Sequence, residues 1–137
     1  ELRTQAGQHA VALAAVTEPD DVVVVCPDQL APDLQRAIDQ QRLANELFVY
    51  PDGADPALVD WRDYEARNAD NNPAAVAAKL LADHPGQVIW VVWQGGYRTL
   101  LQQCEQLVNT LGVARPPTIV ARNADAFEAS SLWRFAP

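Results

Sequence analysis

Three clusters in this chain carry residue types that can do chemistry: Cys26-Pro27-Asp28-Gln29, Asp60-Trp61-Arg62-Asp63-Tyr64 and Gln94-Gly95-Gly96-Tyr97-Arg98. A cysteine at the end of a buried strand is placed as a nucleophile would be. Such a nucleophile needs a cradle of backbone amides and an arginine, and here Pro27 and Pro32 remove donors. The simpler reading makes Cys26 structural, as thiol or half-cystine. At Gln94 to Arg98, Gly95 and Gly96 would let backbone N–H groups approach an anion where a helix begins, with Arg98 as a bidentate clamp. Neither a GxGxxG pattern nor a P-loop lysine is present. A tight turn, with Tyr97 and Arg98 packed on neighbours, is the plainer alternative. Asp60, Asp63, Trp61 and Tyr64 combine rings and carboxylates, the pairing that stacks on a sugar face and takes its hydroxyls. Their plain reading is a loop anchored by Trp61.

Composition narrows the classes. Hydrophobic residues make up 49% of 137, enough for the core of one domain and too few residues for two. Ten Lys and Arg against 18 Asp and Glu leave a net charge of -8, which argues against nucleic acid as a partner. No apolar run approaches the roughly 20 residues of a membrane span. His9 and His84 stand apart from other ligand types, so no metal or cofactor is expected. Cys26 and Cys104 are too distant for a local CxxC motif and fit either one disulfide or two buried thiols. The chain opens at Glu1 and contains no Met, as a processed or excised piece would.

The elements that must position these clusters alternate. Arg3 to Val16 reads as a helix with Ala6, Val11, Leu13, Ala14 and Ala15 inward, and Asp20 and Asp21 as turn residues. Val22 to Val25 is β-branched throughout and reads as a strand buried on both faces. A helix follows from about Pro32 to Leu43, with Leu34 and Ile38 on one stripe, then a short strand at Leu47 to Tyr50. Asn72-Pro73 is an N-cap with Pro at the first helical position, opening a helix to about Asp83. Val88 to Trp93 is the third strand, with Trp90 and Trp93 as core or sheet-covering residues. Thr99 to Leu111 reads as a helix closed by Gly112. Thr118 to Ala121 and a stretch within Phe127 to Phe135 supply the last strands, the final one antiparallel at an edge. This order predicts a three-layer α/β/α sandwich, Rossmann-like, with a mainly parallel sheet of about five strands. Binding groups would gather at the strands' carboxyl ends, including Asp28, Gln29 and the Gly95-Gly96 loop.

Read together, Arg3-Thr4-Gln5-Ala6-Gly7, Asp21 to Leu30, Val59 to Tyr64, Ile89 to Trp93 with Gly96-Tyr97-Arg98, and Cys104 resemble a known family. It is the soluble C-terminal domain of actinobacterial, multi-spanning, mannosyltransferase-like membrane glycosyltransferases. The resemblance implies an extracytoplasmic domain tethered to a membrane-embedded part of the same polypeptide. In that architecture the catalytic acid lies in the membrane part, and polyprenyl-phosphate sugars are used to build cell-envelope glycan. This domain would then be non-catalytic, helping to bind acceptor glycan or to position the membrane core. An oxidising compartment would favour a Cys26–Cys104 disulfide. Two other readings stand beside it. One is a free-standing nucleotide or phosphosugar binder or enzyme using Gln94 to Arg98. The other is a docking module with an exposed apolar face.

Overall fold

The computed structural model describes residues 2–57, 62, 71–96, 102–122 and 126–137, with backbone alone for 2–3 and 126–128. Seven strands and four α-helices appear among them. In chain order they are β1 (Leu2–Thr4), α1 (Ala6–Val16), β2 (Val22–Cys26), α2 (Ala31–Gln40), β3 (Glu46–Val49), α3 (Pro73–Asp83), β4 (Ile89–Trp93), α4 (Gln103–Ala114), β5 (Thr118–Ala121), β6 (Ala126–Glu128) and β7 (Ser131–Phe135). A single 3-10 turn, Asp28–Leu30, links β2 to α2.

Five strands form one sheet in the order β3-β2-β4-β7-β5, and β1 pairs with β6 in a separate two-stranded ribbon. The main sheet is mixed, which corrects the mainly parallel expectation. β2 runs parallel to both β3 and β4. β7 is antiparallel to β4 on one side and to β5 on the other. The chain's last strand therefore lies inside the sheet, and β5 takes the edge assigned to it. The reason is visible in the side chains. Leu132 and Phe135 are both fully buried, whereas Thr118, Ile119 and Val120 of β5 are exposed. The interior place goes to the strand that carries the large side chains Leu132, Trp133 and Phe135.

All five residues of β2 are buried, as the Val22 to Val25 run requires. Alternation divides them between two apolar clusters. Val23 and Val25 join Leu13 of α1, Leu34 and Ile38 of α2, and Trp90 and Val92 of β4. Val22, Val24 and Cys26 join Leu80 of α3, Leu107 and Leu111 of α4, and Val91 of β4. With side chains alternating across the pleat, the sheet has an apolar cluster on each face. Each of these valines contributes about 1.5–3 kcal/mol through burial.

Helix starts follow local chemistry closely. The Asn72 side chain accepts from the Ala74 and Ala75 amides at 3.0 and 3.3 Å, with Pro73 in the first turn. α2 carries Pro32 in its first turn and buries Leu34 and Ile38 as expected. The inner face of α1 differs from expectation. Ala6, His9, Ala10 and Leu13 are buried, while Val11 is 58% exposed and Ala14 and Ala15 face outward. The i, i+3, i+4, i+7 spacing through Ala6, His9, Ala10 and Leu13 explains this, once histidine is allowed inside. α4 continues past Gly112 to Ala114, so that glycine is a helix residue and no C-cap. Arg115 ends the helix instead and donates to the carbonyls of His84 and Gln87 at 2.7 and 2.8 Å.

Two polar residues inside the fold do work that turns and loops would not. Asp21 is 4% exposed and accepts from the Glu18 amide, the Val88 amide and the Trp90 indole at 3.0, 3.0 and 3.1 Å. It closes the Glu18–Asp21 turn, in keeping with its reading as a turn residue, and also ties that turn to the start of β4. His9 is fully buried and its Nε2 meets the Ser130 carbonyl and hydroxyl at 3.2 and 2.9 Å. Burial pushes its pKa below the ordinary 6.5, and the Ser130 hydrogen bond only partly opposes this.

Candidate functional site

The carboxyl ends of β2, β4 and β5 meet the amino end of β7 along one edge of the sheet. Two loops leave that edge side by side, joined by the Gln94 amide donating to the Cys26 carbonyl at 3.1 Å. Cys26 closes β2 and is bonded to Cys104 in the first turn of α4, with the α-carbons 5.7 Å apart. That is ordinary disulfide spacing. Both cysteines are buried, and the bond holds the start of α4 against the sheet. Beside it the Tyr50 hydroxyl donates to Gln103 Oε1 at 2.7 Å. Burial raises the Tyr50 pKa to about 12, so the phenol stays a neutral donor.

The disulfide fixes the direction of the next residue. Glu105 reaches back from α4 to the glycine loop, where its Oε1 accepts from the Gly96 amide at 3.1 Å. Gly96 has φ +80, the left-handed region that favours glycine. Gly95 makes room for Glu105: a β-carbon there would lie 2.7 Å from Glu105 Cδ and closer still to Oε1. The loop expected to cradle an external anion thus holds the chain's own carboxylate at Gly96. A phosphate at that amide would have to displace it.

A pocket of about 340 Å³ opens beside this contact. Its walls include Trp93 and Gln94 from the end of β4, Glu105 from α4, Arg122 after β5, and Ser131 and Trp133 from β7. Ile119 of the edge strand completes the floor, opposite Trp133 in the strand register. The two indoles meet edge to face, with centroids 5.1 Å apart and planes at 89°. Two of the residues lining it each carry a buried atom with no hydrogen-bond partner among the described residues: Trp93 Nε1, a donor, and Glu105 Oε2, an acceptor. A buried polar atom left unpaired costs about 1–3 kcal/mol, so a pair of them on one pocket calls for a ligand or water.

Gln5 braces the pocket from behind. Its Nε2 donates to the Arg122 carbonyl at 3.2 Å and its Oε1 accepts from the Ser130 amide at 2.9 Å. One buried amide therefore joins the chain on both sides of β6 and sets the spacing of two pocket walls.

Of the residues singled out in the sequence, Cys26, Asp28, Gln29, Gly95, Gly96 and Cys104 come together along this edge. Asp28 and Gln29 are half-buried in the 3-10 turn and do not line the pocket. Asp60, Trp61, Asp63, Tyr64, Tyr97 and Arg98 lie outside the described residues. The sequence reading missed Glu105, Trp133 and Arg122 as site residues, and gave Trp93 a packing role alone. A first-turn acid directly after Cys104 was the available signal for Glu105. Trp133 carried none, because its neighbours depend on where β7 inserts.

Among the described residues, no three His, Cys, Asp or Glu gather as metal ligands, and no helix is long and apolar enough to cross a membrane. No family model, no curated protein and no solved structure matches this chain.

Proposed function

We propose that this chain is an accessory domain of a polyprenyl-phosphate-sugar-dependent membrane glycosyltransferase, on the extracytoplasmic face, and that it contributes acceptor-glycan binding. The reading takes the tether to a membrane-embedded part of the same polypeptide from the sequence resemblance, and the Rossmann-like three-layer sandwich from the alternation of strands and helices. The single observation that supports a binding role is the pocket between Trp93 and Trp133, with an unpartnered carboxylate oxygen and an unpartnered indole N–H on residues that line it. Aromatic faces and a few convergent polar groups are what a sugar site needs. The Cys26–Cys104 bond supports an outward-facing location, since disulfides persist in oxidising compartments.

Saturation-transfer NMR on the purified chain with a panel of neutral oligosaccharides tests the reading. Transfer to at least one glycan of the panel is expected. Its absence across the panel, with the protein folded and the sugars at millimolar concentration, would overturn the binding role.

A further inference from the structure

We infer that the pocket formed by Trp93, Trp133 and Glu105 takes a neutral sugar residue through a pair of neighbouring hydroxyls, and discriminates against anionic and cationic sugars. This rests on the glycan-binding reading and specifies its site and its ligand class.

The inference follows from which bonds are unmade. Trp93 Nε1 can only donate, and a Glu105 carboxylate oxygen can only accept. A phosphate or carboxylate ligand offers acceptors, so it could serve Trp93 and pair with Arg122, but it brings no donor to Glu105 Oε2 and sets its charge against that carboxylate. An ammonium offers donors alone; it could serve Glu105 but would leave the indole N–H unmet and share the pocket with Arg122. A hydroxyl offers both. Two adjacent hydroxyls can accept from Trp93 and donate to Glu105, and nothing charged is required. Gln94 adds a side-chain amide to the lining.

Size and shape agree with this class. The 340 Å³ volume lies at the lower end of the range of about 300–1,000 Å³ for small-molecule sites. The two indoles that line the pocket supply apolar surface for a ring's C–H face. The charge of -8 disfavours the approach of anions in general. Both unpartnered atoms are shielded in the free protein, so engagement requires a small opening of the wall. Rotation of the terminal Glu105 carboxylate, a broad and soft torsion, exposes Oε2 in exchange for the Gly96 hydrogen bond, and the Trp93 indole must shift with it to expose Nε1.

The test is a set of ¹⁵N-correlation NMR titrations of the chain, reading the indole N–H signals of Trp93 and Trp133. The probes are neutral disaccharides of mannose, glucose, galactose and arabinose, with mannose 6-phosphate and mannosamine as charged counterparts. A neutral disaccharide is expected to shift the Trp93 indole signal saturably and to bind at least tenfold more tightly than either charged sugar. Glu105→Gln keeps the side-chain shape and is expected to weaken that binding about tenfold, the equivalent of one charge-assisted hydrogen bond. Trp133→Phe, which keeps an aromatic ring in the wall, is expected to weaken it less. Shifts confined to Asp28 and Gln29, with the pocket indoles unmoved, would overturn the site while leaving the glycan reading standing. Tighter binding of mannose 6-phosphate would overturn the ligand class. Binding of no probe to the folded chain would remove both.

Discussion

Glu105 Oε1 sits 3.1 Å from the Gly96 amide nitrogen, so the chain fills with its own carboxylate a position that two glycines leave open. The second oxygen of the same carboxylate is buried without a partner. One side chain thus closes an anion site and lines a pocket whose unmet bonds suit a hydroxyl.

Gly95→Ala should expel the Glu105 side chain, because the new methyl and the carboxylate would occupy the same space. The carboxylate is the far end of a flexible side chain, so the fold survives and the Gly96 hydrogen bond is lost. A destabilisation of about 1–2 kcal/mol is expected by urea denaturation. In a Glu105→Ala background the same substitution should add little, because its target is gone. Additive effects in this double-mutant cycle would disprove the steric coupling.

The non-reduced, denatured protein should show no titratable thiol. Replacing both Cys26 and Cys104 by Ala opens a loop of 78 residues in the unfolded chain, with an expected loss of about 4 kcal/mol. Because Cys104 holds the start of α4, the Glu105–Gly96 contact should loosen in the same variant. The Gly96 amide shift reports this directly, and an unchanged shift would show that α4 keeps its place without the bond.

Stability should depend on pH through His9. Its folded pKa is lowered from 6.5, so the unfolded chain binds the proton first as the pH falls. The neutral ring's contribution is complete above about pH 7.5. It is lost as the pH drops through 6.5 and on to the lowered folded value, with a slope of at most about 1.4 kcal/mol per pH unit. His9→Gln retains an amide donor toward Ser130 and should remove this slope from urea midpoints measured between pH 5 and 8. An equally steep decline in the variant would assign the effect to other groups.

Asp21→Ala should cost about 3 kcal/mol, since it leaves the Trp90 indole and two backbone amides without their acceptor. Asp21→Asn keeps one acceptor oxygen and should cost less. Trp90 is fully buried, so its fluorescence provides a second reading of the same loss.

Much of the fold was legible in local patterns. The Val22 to Val25 run announced a doubly buried strand, and β2 is buried at every position. Asn72-Pro73 marked the start of α3 to the residue, because capping is a bond between near neighbours. The order of the five main-sheet strands and the four helices was readable on the same grounds, whereas β1, read as the start of the first helix, and β6 were not. The site was legible only in part. Gly95 and Gly96 were read either as an anion cradle or as a tight turn, and the side chain that meets the Gly96 amide, Glu105, lies nine positions on.

What the sequence alone determined is therefore what neighbouring residues settle between themselves: period, caps, turns and the α/β class. Tertiary structure decided the rest. It set β7 antiparallel between β4 and β5, which brings Trp133 beside Trp93 and Ile119 into one wall. It turned His9 and Asp21 inward, where their partners Ser130 and Trp90 arrive from distant elements. It also joined Cys26 to Cys104 across 78 positions. Strand pairing, buried polar partners and disulfide choice all depend on which surfaces exclude water together, and local sequence carries no record of that.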